Sequence, residues 1–460
     1  MSKPSIIFIL VDDLGWGEPG CYGNTFNETP HIDAVAKSGM RFTTAYACST
    51  VCSPSRAGLM TGQAPPRNGI TDYLRPDTEW FLPLKEGGFS DNELPADTEY
   101  HISANLTSLP QMFKERGYKT GMIGKWHLSG YDGNGVKHGP EKYGFDDVRI
   151  SEQVGIGPGS YFPPYIHVDP GIEPVLGENE FLVDRMNYEA VNFIKENKNE
   201  PFFLYLSHYA VHTALAGKKE YVDYFSRKAD VEHLSDNEKA WMNKNNPVLA
   251  AMLKSVDDGV GAIRKTLKES EIDKDTIIVF TSDNGGETKV TVNGHLREGK
   301  SSTYEGGIRI PLIIDYPGMT TPGSVTDIPT INLDFYPTFA EIIGYEIPKE
   351  HIADGESIVP VLGGTGKIEV IANRVFSWHY PLEKPHFLGG RSSAANRRGD
   401  YKYIHFFDDG SDELYNLEKD ESETSSLVER YPVLLKEHQN LLKNWLTEVK
   451  GQIPKGQRGL

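Results

Sequence analysis

Ile6-Ile7-Phe8-Ile9-Leu10-Val11-Asp12-Asp13 places six consecutive apolar residues directly before two carboxylates. A strand apolar on both faces belongs inside a parallel sheet covered on each side, because a strand with one wet face alternates instead. Four further apolar runs, at residues 120–124, 202–206, 276–281 and 310–314, are separated by amphipathic stretches. The alternation predicts an α/β fold, with a large mixed, mostly parallel sheet sandwiched by helices. Ligands in such folds gather at the carboxyl ends of strands, and the unusual polar clusters of this chain each follow one of these runs.

A length of 460 residues exceeds what one hydrophobic core usually serves, so a second, smaller unit is expected. Beyond the loop-like Gly363-Gly364-Thr365-Gly366, residues 370–377 and 401–407 read as strands and 427–449 as a long amphipathic helix. The expected division is a catalytic domain at 1–365 and a C-terminal α+β subdomain at 366–460, an antiparallel sheet plus the long helix. Residues 82–99 and 130–174 read as surface loops framing a pocket, and 218–268 as a solvated helical layer.

With 38% hydrophobic and 24% charged residues, the chain is of ordinary globular composition. Its net charge of -18 weighs against nucleic acid as a partner, and an anionic substrate would require a locally basic site. No run approaches the roughly 20 apolar residues that span a bilayer, so no membrane partner is expected. The opening run is short for a signal-peptide core and lacks a cleavage site. The compartment stays open, and a periplasmic or secreted destination with an export signal already removed is compatible with the sequence. Three cysteines, Cys21, Cys48 and Cys52, define no disulfide framework.

Asp12 and Asp13 end the first strand, and Asp283 and Asn284 end a later one. Carboxylates plus an amide oxygen suit a hard cation, Ca²⁺ first and Mg²⁺ second, rather than zinc. The densest stretch is Cys52-Ser53-Pro54-Ser55-Arg56-Ala57-Gly58-Leu59-Met60-Thr61-Gly62. Pro54 suits a first helical turn, so Cys52 sits at a helix N-terminus, where backbone amides favour an anion, and Arg56 lies one turn further on the same face. In Gly124-Lys125-Trp126-His127-Leu128, an extended strand would send Lys125 and His127 to one face and Trp126 to the other.

The Cys52 stretch resembles the formylglycine motif of the type I sulfatases, a family of the alkaline phosphatase superfamily. Val11-Asp12-Asp13-Leu14-Gly15-Trp16-Gly17, Thr29-Pro30-His31-Ile32-Asp33, the Lys125 block, Ser282-Asp283-Asn284-Gly285-Gly286 and the 299–311 segment are similar to further blocks of that family. So are residues 397–404 and 413–417, which extends the likeness to nearly the full length. The resemblance implies that a formylglycine-generating enzyme oxidises Cys52 to an aldehyde. Its hydrate attacks sulfur with one oxygen and expels sulfate by collapse of the other. It also implies a metal held by Asp12, Asp13, modified Cys52, Asp283 and Asn284. In the roles it implies, Arg56 adds charge, Lys125 contacts the nucleophile and sulfate, and His127 takes the proton that lets the sulfated intermediate break down. His212 and Lys300 bind sulfate and serve the leaving oxygen. His212 stands in Ser207-His208-Tyr209-Ala210-Val211-His212-Thr213, which lacks the prolines of the family block.

The expected substrate is a sulfated carbohydrate or polysaccharide fragment. Tyr73, Arg75, Trp80, Tyr161, Tyr165, His167 and Trp378 are of types that stack on sugars or pair with anions, and His379 and Arg391 are named as specificity candidates. Two other readings stay open. A phosphodiesterase or phosphonate hydrolase of the same superfamily would prefer phosphorylated substrates, and a non-catalytic sulfated-glycan-binding protein would keep Cys52 unmodified.

Overall fold

The computed structural model describes residues 3–74, 101–128, 139–152, 161–163, 165, 173–366 and 368–460. The loop expected at 82–99, much of that at 130–174, and Arg75, Trp80 and His167 lie outside the described residues. The larger sheet contains β1 (Ser5–Val11), β2 (Met40–Tyr46), β3 (Lys119–Lys125), β4 (Asp147–Glu152), β5 (Phe202–His208), β6 (Thr276–Ser282), β7 (Arg309–Asp315), β8 (Ser324–Thr326) and β9 (Thr330–Ile331). Its order is β4-β3-β5-β1-β6-β7-β2-β8, with β9 beside β2. β4, β3, β5, β1 and β6 run parallel, whereas β7 is antiparallel to both β6 and β2.

β1 is central, as its sequence requires. Ile7, Ile9 and Val11 enter one apolar layer with the helices Leu182–Asn197 and Pro247–Glu269, while Ile6, Phe8 and Leu10 enter the opposite layer with Leu109–Glu115 and Phe335–Ile343. Strands at 120–124, 202–206, 276–281 and 310–314 are all present. β2 went unread because Met-Arg-Phe-Thr-Thr-Ala-Tyr carries no continuous apolar run. The 218–268 layer is three helices, and Pro247–Glu269 is not merely solvated: Met252, Leu253, Val256, Val260 and Ile263 are buried in the core.

The second sheet is antiparallel, in the order β10 (Val375–Tyr380), β11 (Ser393–Arg398), β12 (Tyr401–Phe406) and β13 (Asp412–Asn416), and it is crossed by the helix Pro432–Glu448. The reading of 370–377 as one strand is corrected. Ile368–Ala372 forms a helical turn that buries Ile371 and exposes Val370, and the strand starts at Val375. The long helix begins at Pro432 rather than 427, because proline fits a first turn and has no amide to donate inside a helix. Trp378 Nε1 donates to the Ala47 carbonyl across the junction between the two sheets (2.7 Å), so Trp378 is packing rather than a sugar platform.

The Thr29–Asp33 block is a clip. Thr29 Oγ1 accepts from the Gly20 amide and Asp33 Oδ1 from the Cys21 amide, both at 2.8 Å. Asp257 caps the helix Pro30–Ser38 from outside, accepting from the His31 and Ile32 amides at 2.9 and 2.8 Å. Burial pushes its carboxyl from the ordinary 3.8 up to about 7. Because the folded value is raised, the stability this group contributes is complete below about pH 4 and is lost as pH rises through about 7. Asp257→Asn keeps a capping oxygen without the charge. It is expected to flatten the fall in melting temperature between those limits relative to the wild type, and identical slopes would dismiss the effect.

Candidate active site

Parallel pairing of β1 with β6 brings Val11 opposite Ser282, so the residues that follow each strand meet at one sheet end. The Asp13 amide donates to Asp283 Oδ1 (3.1 Å) and Asn284 Nδ2 donates to Asp13 Oδ1 (2.7 Å). The helix Cys52–Thr61 starts immediately above them, with Cys52 Sγ 3.4 Å from Asp12 Oδ1 and 3.8 Å from Asp13 Oδ1. Ligand atoms of Asp12, Asp13, Cys52 and Asp283 all lie within 4.8 Å of one another, and all four residues are buried. The Asn284 side-chain oxygen is buried without a hydrogen-bond partner. Three carboxylates and an orphaned amide oxygen form a donor set that fits a hard divalent cation.

Three cations face these three acids. Arg56 Nε and Nη2 reach Asp283 Oδ2 at 2.8 Å, while Nη2 is 3.3 Å from Asp12 Oδ1 and Nη1 donates to Ser207 Oγ (2.6 Å) and the Lys125 carbonyl (3.0 Å). Lys125 Nζ pairs with Asp12 Oδ2 at 2.6 Å, and Lys300 Nζ with Asp13 Oδ2 at 2.7 Å. Burial alone would raise the Asp12 carboxyl, yet Lys125, His212 and Arg56 outweigh it and hold Asp12 well below the carboxylate range. Burial and the neighbouring Asp12 push Asp283 up to about 6. Burial, then Asp12, also pushes the Cys52 thiol well upward, so the helix N-terminus does not make this thiol an anion.

His127 does not follow from strand alternation. β3 ends at Lys125, and His127 lies beyond it at φ 55. Its Nε2 is 2.9 Å from the Leu74 carbonyl, which can only accept, so the proton sits on Nε2. Nδ1 is buried without a partner among the described residues, and it carries the lone pair. Burial, Lys125 and Arg56 hold the ring well below the usual histidine range. His212 is built the other way round. Its Nδ1 meets the Thr213 carbonyl at 2.5 Å, and Nε2 stands 3.7 Å from Asp13 Oδ2. Burial and Lys300 bring His212 down to about 4, which leaves Lys300 as the charged donor on this side.

The sequence reading missed the groups that hold these residues. Leu74 also donates its amide to Ser53 Oγ (2.9 Å), Asn332 Nδ2 donates to Ser55 Oγ (2.9 Å), and Ser55 Oγ donates to the Asp283 carbonyl. Tyr161 is buried and its hydroxyl lies 2.9 Å from both the Tyr209 and His212 carbonyls, sharing its one proton between them, so it fixes the His212 loop instead of facing a sugar. Tyr165 is likewise buried, bonded to Glu180. Ser207, at the end of an apolar run, was the one legible signal among them. The two specificity candidates are engaged elsewhere. His379 Nε2 meets the Gln452 carbonyl at 2.7 Å, and Arg391 pairs with Asp408 (2.6 Å) and Asp409 (2.8 Å) over the Phe406 ring.

The sulfatase family profile matches residues 4–345, and the profile of the C-terminal part of N-sulphoglucosamine sulphohydrolase matches 297–452. A sulfatase of Formosa agariphila is 29% identical over 99% of this chain and 90% of its own length, and the steryl-sulfatase of Homo sapiens is 28% identical over 82% and 72%. The solved structure of Ps i-CgsB in complex with k-i-k-neocarrahexaose superimposes with a TM-score of 0.79 at 30% identity, covering 99% of this chain and 94% of that one. The chain belongs to the sulfatase family of the alkaline phosphatase superfamily, enzymes that hydrolyse sulfate esters.

Proposed function

We propose that this enzyme removes sulfate from a sulfated carbohydrate, using Cys52 after its oxidation to formylglycine by a formylglycine-generating enzyme. The observation that carries the reading is the placement of Cys52 Sγ 3.4 Å from Asp12, with Lys125 and Lys300 on the same carboxylate pair. The carbohydrate class is supported by the neocarrahexaose complex of the similar Ps i-CgsB. The aldehyde hydrate supplies a nucleophilic oxygen and a second oxygen whose collapse expels sulfate. Around it, Lys125 and Lys300 present positive charge to the ester's oxygens, where charge grows as the bridging bond lengthens. Arg56 holds Asp12 and Asp283 in register. His127 Nδ1 accepts the proton during breakdown, and Lys300 with His212 serves the leaving oxygen.

Asp12, Asp13, Asp283, Asn284 and modified Cys52 would hold Ca²⁺, which lowers the cost of an alkoxide when bound. Treatment with a chelator is expected to suppress turnover by about a hundredfold or more and to lower the melting temperature, with Ca²⁺ restoring both better than Mg²⁺. Full activity in the chelator would remove the metal from the scheme. Sulfate release from saccharides, aryl sulfates and phosphate esters tests the whole reading, and preference for phosphate esters would move the enzyme to the phosphodiesterase branch.

A further inference from the structure

Residues 386–390 form a tight turn between β10 and β11, closed by the His386 amide on the Gly390 carbonyl and the Gly389 amide on the His386 carbonyl, both at 2.8 Å. This turn packs against three segments that carry or support the catalytic cluster. A Cβ on Gly390 would lie 1.8 Å from the Ser301 carbonyl oxygen, so glycine lets the turn close against the residue after Lys300. The His386 ring stands edge-on to Tyr73 at 5.6 Å, one residue before the Leu74 carbonyl that fixes His127. At the tip, Phe387 is 69% exposed, with Lys289 Nζ 5.8 Å from its ring centre. Lys289 is itself exposed and lies two residues past Glu287, whose carboxylate accepts the Thr213 hydroxyl (2.7 Å) beside His212.

The Phe387 ring is braced on one side by the tilted His386 ring, 4.3 Å between centres, and stays largely open beside an exposed ammonium, which offers both things a charged sugar needs, an apolar platform and a counter-charge. We infer that Phe387 and Lys289 form a saccharide subsite on the rim of the catalytic pocket. Phe387 stacks on the sugar next to the one losing sulfate, and Lys289 pairs with an anionic substituent on that neighbouring sugar. The inference rests on the carbohydrate reading above, and it locates specificity on the C-terminal sheet without using His379 or Arg391.

The test compares the metal-loaded, formylglycine-bearing enzyme with its Phe387→Ala, Phe387→Trp and Lys289→Ala variants. Substrates are sulfated tetrasaccharides from carrageenan and from heparin, beside 4-nitrophenyl sulfate. For Phe387→Ala, the ratio of kcat/KM on a tetrasaccharide to that on the aryl ester is expected to fall about tenfold or more, through KM. Phe387→Trp restores it, and Lys289→Ala lowers it in the same direction. Equal losses on both substrates, or no change on a cleaved tetrasaccharide, would overturn the subsite alone. A wild-type enzyme that cleaves only the aryl ester would overturn the carbohydrate reading and the subsite with it.

Discussion

Cys52→Ala is expected to lower sulfate release by about four orders of magnitude or more while leaving the protein folded. The side chain is small and 1% exposed, and its sulfur lies against Asp12 and Asp13 rather than inside an apolar core, so truncation leaves little cavity. The neighbouring cations keep their partners without it. What disappears is the thiol whose oxidation would turn the Cβ into the aldehyde carbon that hydrates to the nucleophile. Cys52→Ser sharpens the test, since a serine hydroxyl sits in the same place but cannot become an aldehyde by this route. Turnover by either variant near the wild-type rate would put the nucleophile elsewhere.

The second large effect is structural. Lys402, on β12, is completely buried, with Nζ 2.9 Å from both Glu305 Oε1 and Glu423 Oε1. Glu305 also accepts from the Tyr46 hydroxyl (2.8 Å), and its amide donates to Glu423 Oε2 (2.6 Å). The network ties the C-terminal sheet to the segment that follows Lys300. Lys402→Met leaves two carboxylates enclosed without their shared cation and is expected to cost about 3–5 kcal/mol, read as a lowered denaturation midpoint. Adding Glu423→Gln to that variant removes one stranded charge and should recover part of the loss. A Lys402→Met protein as stable as the wild type would show that the enclosed acids find another counter-charge.

The parts of the molecule visible in the sequence are those set by short-range pattern. Runs of β-branched residues marked the central strands, and Asp12-Asp13 and Asp283-Asn284 at two strand ends indicated where β1 and β6 meet. The helix N-terminus at Cys52 was legible from Pro54. Contacts between distant segments were not. The Leu74 carbonyl reaches His127 across 53 positions, and Ser207 reaches Arg56 across 151, with no local mark on either residue beyond the strand end at Ser207. His379 and Arg391 show the same limit from the other side. Their residue types suggested a ligand, and nothing local announced the partners the fold gives them, the Gln452 carbonyl for His379 and the Asp408-Asp409 pair for Arg391. Alternation failed at His127 because the strand stops two residues earlier.

The enclosure of Cys52 has a bearing on timing. Val51 through Thr61 are all buried, and Ser301, in the segment carrying Lys300, is met by Gly390, far along the chain from the cysteine's own helix. An enzyme that takes the Cys52 segment as an extended peptide would have to unwind this helix first. On the proposed chemistry, oxidation is therefore expected while the segment 51–61 is still open, before the chain around it has docked. Maturation and folding then run as a race. A molecule that folds first is expected to keep an unmodified thiol, and supplying the oxidising enzyme afterwards is expected not to restore sulfate release.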